Sequence, residues 1–255
     1  MIHDLSRKNV RAEIDKTLSV LNLPYVDIFV PARVDHATPI EETMAELKAL
    51  VQEGKVKSVG LSEASAHSIR RASRVHPVAC LQTEYGPMER DAESNGIFDA
   101  CRENDVTVLA YGVVQHGFIS SRGLGPWESF RDDASRKFYP RFHKENYEHN
   151  QKFLHLLQAF IERKRLPVTI SQLAVASVMQ RGYRAQKQGK EKADTPVVVP
   201  LLGMRSLASL EDNAKAADFA ANMSQPDVEE LETVIRGFEI RGNRYPPQVM
   251  TSVNV

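Results

Sequence analysis

Four short β-rich runs, YVDIFV (25–30), VKSVGL (56–61), VACLQTEY (78–85) and VTVLAY (106–111), recur along the chain, and each interval between them holds one helical pattern. A strand returning to a parallel neighbour needs a crossover long enough to contain a helix, so this rhythm predicts tandem βα units around a parallel sheet. The helical patterns are specific. Val10, Ile14, Leu18 and Leu21 share one stripe, with Ser6 placed to cap it; Ile40, Met44, Leu47 and Val51 follow Pro39 and stop at Gly54; Ala66–Val75 and Gly96–Asn104 supply the next two.

After Tyr111 the rhythm breaks. Residues Gly112–Glu145 carry glycines and prolines but no sustained period, which predicts a long functional or disordered loop. Two helices are expected at Asn146–Lys164 and Thr169–Gln180, then a charged surface insertion at 184–196. A last strand is read at Val197–Leu201, with a helix opening near Ser206 and another from Pro226; 241–255 reads as a C-terminal tail. The whole of 1–255 is expected to form one α/β domain.

Composition narrows the partners. With 33 basic and 33 acidic residues there is no global field to attract nucleic acid or an anionic membrane, and no run of residues matches a membrane span or a signal-peptide core. Cys80 and Cys101 lack the spacing of a zinc site or a redox pair, so no metal site is expected and a reducing, cytoplasmic setting fits.

In parallel α/β folds ligands meet the carboxyl ends of the strands, which directs attention to the residues just past each run. Ser62, Glu63 and Gln82 offer donors and acceptors for a carboxamide, and Tyr111 a flat face for a heteroaromatic ring. The stretch VVVPLLGMRSLASLEDN (197–213) places Gly203, Arg205 and a capping Ser206 at a helix start, a natural anion site, with Asp212 and Asn213 about two turns along to reach a base or ribose. Plain structural roles remain open for the same residues: Gln82 satisfying a buried backbone group, Tyr111 in the core, Ser62 capping the next helix, and Ser206 and Arg205 at an ordinary αβ corner.

These residues and their order resemble the aldo-keto reductases, NADP(H)-dependent oxidoreductases built on a (β/α)8 TIM barrel. The stretch YVDIFVPARVDHATPIEETMAELKALVQEGKVKSVGLSEAS, the strand LQTEY, the segment LAYGVVQHGFI, the loop RDDASRKFYPRFHKENYEHN and VVPLLGMRSLASLEDNAKA resemble successive family motifs, from about Ser6 to Ile235. The ARVDH run is similar to fungal pyridoxal reductases. The resemblance implies that Ser62, Glu63 and Gln82 hold the nicotinamide amide and that Tyr111 stacks under the ring. Gly112, Val113, Val114, Gln115 and Gly117 match the loop over the pyrophosphate. Gly203, Met204, Arg205 and Ser206 match the 2′-phosphate loop, and Ser209, Asp212 and Asn213 the adenosine contacts.

The family's catalytic Asp, Tyr and Lys belong to its first three βα units and have no counterpart here, and its histidine position falls on Ala32; no catalytic residue is identified. His36 takes that role only if its loop folds back. The expectation is therefore an N-terminally incomplete barrel of about five strands, truncated relative to the family. Its open sheet edge at Val26–Val30 invites self-association. Two functions follow: hydride transfer between NADPH and an aldehyde or ketone carbonyl, pyridoxal among the candidate substrates, or a non-catalytic dinucleotide-binding or interaction protein.

Overall fold

The computed structural model describes residues 4–131, 136–188, 195–204 and 206–253. Five strands, β1 (Val26–Phe29), β2 (Val56–Ser62), β3 (Val78–Glu84), β4 (Thr107–Tyr111) and β5 (Val198–Pro200), lie side by side in chain order, every neighbouring pair parallel. Chain-order neighbours joined by helical crossovers are the arrangement of a (β/α) barrel sheet. Among the described residues the sheet is open: β1 and β5 each have one strand partner, leaving Ile28 (48%) and Val199 (41%) exposed at the two edges.

The crossover helices α1 (Arg7–Leu21), α2 (Ile40–Gln52), α3 (Ala66–Val75) and α4 (Ile97–Glu103) form where the apolar stripes predict. Val10 and Ile14, Met44, Leu47 and Leu50, Ile69 and Ala72, and Ile97 and Cys101 from these helices bury against Val59, Leu61, Leu81 and Val108 of the sheet. Ser65 caps α3, its hydroxyl accepting from the Ser68 amide, so Ser62 is not that cap. Ser6 precedes α1 as expected but makes no capping hydrogen bond with its side chain; its own amide donates to Asp4.

A second core occupies the long β4–β5 connection. The aperiodic stretch after Tyr111 is compact rather than open: it holds the single turn α5 (Trp127–Phe130) and several 3-10 turns. Phe118 stacks its edge on Phe130 and Tyr147 at ring-centroid distances of 5.4 and 5.3 Å, a cluster that packs on α6 (Lys144–Lys164). Helix α7 (Ile170–Gln188) runs past the predicted end at Gln180. The first residues of the expected 184–196 insertion thus continue a helix, with Ala185 buried, while 189–194 lie outside the described residues. Helices α8 (Leu207–Asn222) and α9 (Gln225–Arg236) follow β5. The segment expected as a tail carries the turn α10 (Pro247–Met250) and buries Arg244, Tyr245 and Val253. Among the described residues no helix is long and apolar enough to cross a membrane.

Both thiols lie in the first core. Cys80 is 2% and Cys101 0% exposed, and burial pushes the Cys101 thiol up to about 12 and raises Cys80. At pH 8 only about one Cys101 in 10⁴ is then the reactive thiolate. Ellman's reagent should label neither thiol in the native chain and both in guanidinium; rapid stoichiometric labelling under native conditions would contradict this packing.

Candidate functional site

The strand register aligns the carboxyl ends. Ser62 pairs with Gln82 across β2 and β3, and Glu84 with Tyr111 across β3 and β4, so the predicted rim residues of three successive strands share one edge. Ser62 is 3% exposed. The Gln82 side chain is half-buried and makes no hydrogen bond within the described residues, while its carbonyl accepts from the Glu63 amide at 2.9 Å.

Glu63 is fully buried and sits in the left-handed region at φ 52°. Its Oε1 accepts from the Tyr111 hydroxyl at 2.6 Å and the Glu84 amide at 2.9 Å, and its Oε2 from Arg244 Nη2 at 2.7 Å. Both oxygens are thus engaged within the chain, and the carboxylate acts as a structural pivot. Arg244 also donates through Nε to Glu84 at 3.0 Å. Burial pulls the Arg244 guanidinium down, but Glu63, Glu84 and Glu89 outweigh it and hold it above its ordinary value. Glu89 pairs with Arg141 at 2.6 Å, and burial nevertheless raises its carboxyl.

Tyr111 is held by its hydroxyl, which donates to Glu63 and lies 3.0 Å from that of Tyr245. Burial first, then the Glu63 carboxylate, raises its phenol strongly, so it is a fixed neutral ring. Gly112 follows with φ +72°, and a Cβ there would meet the Glu84 side chain at 2.9 Å; only glycine turns the chain here. Val113 is buried, and Gln115, 2% exposed, donates to Glu84 at 2.8 Å and to the Gly112 carbonyl at 3.1 Å. These two side chains hold the loop from beneath.

Further along the rim, Val114 and Gly117 from that loop and Gly203, Ser209, Asp212 and Asn213 line one cavity of about 200 Å³. Asp212 is braced by Gln172, whose amide donates to its side chain at 3.0 Å. Ser206 caps α8, its hydroxyl accepting from the Ser209 amide at 3.2 Å, which leaves the positive end of the helix at the cavity. Met204 and Ser206 are exposed; Arg205 lies outside the described residues. Ala32 and His36 line a separate cavity, where His36 Nε2 sits 2.8 Å from the Thr251 carbonyl.

No motif or period in the sequence points to Arg244 or Tyr245. A signal existed: three acidic residues, Glu63, Glu84 and Glu89, fall at or just after strand ends, and acids buried together demand a cation.

The family model described as "Aldo/keto reductase family" matches residues 1–236. Probable aldo-keto reductase 1 of Glycine max is 34% identical over 240 residues, covering 94% of this chain and 64% of that protein. The aldo-keto reductase yakc [NADP(+)] of Schizosaccharomyces pombe is 30% identical, covering 93% of this chain and 65% of its own length. The chain thus spans just under two thirds of these curated relatives. Among solved structures, the glycerol dehydrogenase of Gluconobacter oxydans superposes with a TM-score of 0.73 at 22% identity, over 96% of this chain and 68% of that one. A thermostable aldo-keto reductase in complex with the inhibitor epalrestat gives 0.66 at 21%, over 90% and 67%. At these identities the likeness shows the fold.

Removing one partner of a buried ion pair strands the other, at a cost of about 3–5 kcal/mol. Arg244→Met should lower stability by that order at pH 8. Glu63 is then buried without a cation, while Glu84 and Glu89 keep Arg141; Glu89, which burial already raises, loses the Arg244 charge that lowers it and binds its proton more tightly in the folded than in the unfolded chain, so the loss should shrink as pH falls toward 5. Urea unfolding at the two pH values checks this; an equal loss below about 1 kcal/mol at both contradicts the role given to Arg244.

Proposed function

The chain belongs to the aldo/keto reductase family, and from that membership we propose that it is an NADP(H)-dependent oxidoreductase site acting on aldehyde or ketone carbonyls. One observation carries this reading: Gly117 of the β4 loop and Gly203, Ser209, Asp212 and Asn213 around the start of α8, distant in sequence, converge on one cavity. It lies on the same rim as an anchored Tyr111 and a Gln82 amide with no partner among the described residues. The donor set suits a phosphorylated dinucleotide.

When bound, that cofactor supplies or accepts the hydride. The residues of the chain bind and orient it. Ser62 and Gln82 hold the carboxamide, and Glu63 acts one step back by fixing Tyr111 beneath the ring. The backbone from Gly112 to Gly117 covers the pyrophosphate, with Val113 and Gln115 supporting it. Gly203, Met204, Arg205 and Ser206 take the 2′-phosphate, and Ser209, Asp212 and Asn213 the adenosine. The substrate is a small carbonyl compound; the ARVDH run supports pyridoxal among the candidates. The name of the Schizosaccharomyces pombe relative supports NADP(H).

A second reading, dinucleotide binding without turnover, is favoured by Ala32 at the family's histidine position. NADPH fluorescence titration followed by NADPH-oxidation assays with pyridoxal and with neutral and carboxylate-bearing aromatic aldehydes separates the two. We expect saturable binding, weakened about tenfold or more by Arg205→Ala for NADPH but not for NADH, since the guanidinium serves the extra phosphate. A folded chain with no NADPH affinity overturns the proposal; binding without oxidation selects the second reading.

The exposed Ile28 on the β1 edge supports association between copies. Sedimentation velocity should then show a species larger than 28.6 kDa that Ile28→Lys reduces; a monomer at all concentrations rejects it.

A further inference from the structure

The β1 carboxyl end opens on a cavity of about 740 Å³ that the cofactor reading does not use, lined by the chain from Ala32 to Ala37, by Phe138, and by the C-terminal turn from Gln248 to Ser252. Its walls are apolar where Val34, Phe138 and Val249 meet it. One half-buried guanidinium, Arg33, lines it. Arg33 Nη1 donates to its neighbour's carbonyl at Ala32, 2.6 Å away, and to the Ser62 hydroxyl at 3.2 Å. Neither acceptor is charged, and among the described residues Arg33 has no carboxylate partner. Most other half-buried or buried arginines described here are ion-paired, as Arg90, Arg141, Arg181 and Arg244 are.

The carboxylate closest in sequence, Asp35, lines the same cavity but is spent locally. Its Oδ2 accepts from the Thr38 hydroxyl at 2.7 Å and the Leu5 amide at 3.1 Å, and its Oδ1 from the Ala37 amide at 2.8 Å. His36 is bonded to the Thr251 carbonyl. The cavity therefore offers an apolar body and one uncompensated guanidinium beside Ser62, with a fixed anion at Asp35 that disfavours a doubly charged ligand.

We propose that this cavity is the substrate pocket and selects carbonyl compounds that carry a single carboxylate on an apolar, aromatic-sized body, with Arg33 as the specificity-determining residue. The proposal rests on the carbonyl-reduction reading above and names its substrate class. A charge-assisted, two-pronged guanidinium–carboxylate contact in a partly desolvated cavity is worth about tenfold or more over a neutral isostere.

Calorimetric titration with 4-(hydroxymethyl)benzoate and with 4-methylbenzyl alcohol, the reduced forms of an anionic and a neutral aldehyde, tests this without turnover. The carboxylate should bind about tenfold or more tighter, and the preference should fall with added salt. Arg33→Met should bring the two ligands within about twofold, and Arg33→Lys should restore part of the difference. Circular dichroism reports whether each variant is folded; if Arg33→Met is not, the salt dependence of the unmodified chain decides. Equal binding of the two alcohols, or tighter binding of 4-(hydroxymethyl)phenyl phosphate than of the carboxylate, overturns the proposal. NADPH affinity measured on the same sample keeps the two failures apart: NADPH binding without carboxylate preference sinks only this inference, and no NADPH binding sinks the reading beneath it.

Discussion

The ion pair between Arg244 and the fully buried Glu63 is the constraint on which the rim depends. Glu63 follows β2 in a left-handed backbone conformation, and Arg244 reaches it from far beyond the last βα unit. A buried pair of this kind adds little net stability, because desolvation of both charges offsets most of their attraction. Its effect is positional. With neither charge able to remain inside alone, the chain after Ile240 has one place to go: across the carboxyl ends of β2 and β3. Gly242 permits the approach, since a Cβ there would meet the Arg141 amide nitrogen at 2.9 Å and its φ is +85°. Tyr245 then arrives beside Tyr111, and the ring proposed to sit under a nicotinamide is fixed by contacts at both of its hydroxyl's neighbours.

The same logic joins the two cores. Glu93, after β3, accepts from the Tyr85 hydroxyl at 2.6 Å and pairs with Arg90, Arg181 and Arg236, while Glu232 on α9 pairs with Arg90 and Arg181. Burial pushes Glu93 up, but the Tyr85 hydrogen bond and the Arg181 and Arg90 charges hold it below the usual carboxylate range. Its contribution is therefore present above the ordinary glutamate value and is lost as pH falls through the lowered one. Helices α7 and α9 of the aromatic core are thus tied to the sheet by charge as well as by packing.

What the sequence revealed follows from how local each cause is. Helical and strand periods are read within a dozen residues, so α3 occupies the expected Ala66–Val75 and Ser206 caps α8 as its position implies. Helix α7 outran its reading because Arg181 and Arg184 break the apolar pattern without breaking the backbone, and Arg181 finds Glu232 on α9. By its type Glu63 reads as an acceptor for a carboxamide, and in the structure both of its oxygens accept from groups of the chain itself. Its partner lies 181 positions away, and no local pattern encodes that pairing. The C-terminal segment lacked any period for the same reason: single side chains, not a repeating face, hold it.

The distribution of hydrogen-bonding capacity along the rim carries one more consequence. Both oxygens of Glu63 and of Glu84 and the amide nitrogen of Gln115 are engaged by the chain itself, so on the cofactor reading a carboxamide finds its free partners at Gln82 and Ser62. Ser62 is already an acceptor for Arg33. A hydroxyl has one proton to give and two lone pairs to fill, so it can donate to a carboxamide oxygen while still accepting from the guanidinium. Each bond polarises the other. An anion drawing Arg33 toward the 740 Å³ cavity would therefore change how strongly Ser62 holds a carboxamide, and by reciprocity a bound carboxamide would change the anion's affinity by the same factor. The two proposed ligands meet through a single hydroxyl at the end of β2, beside the Glu63 and Glu84 carboxylates that Arg244 takes out of play.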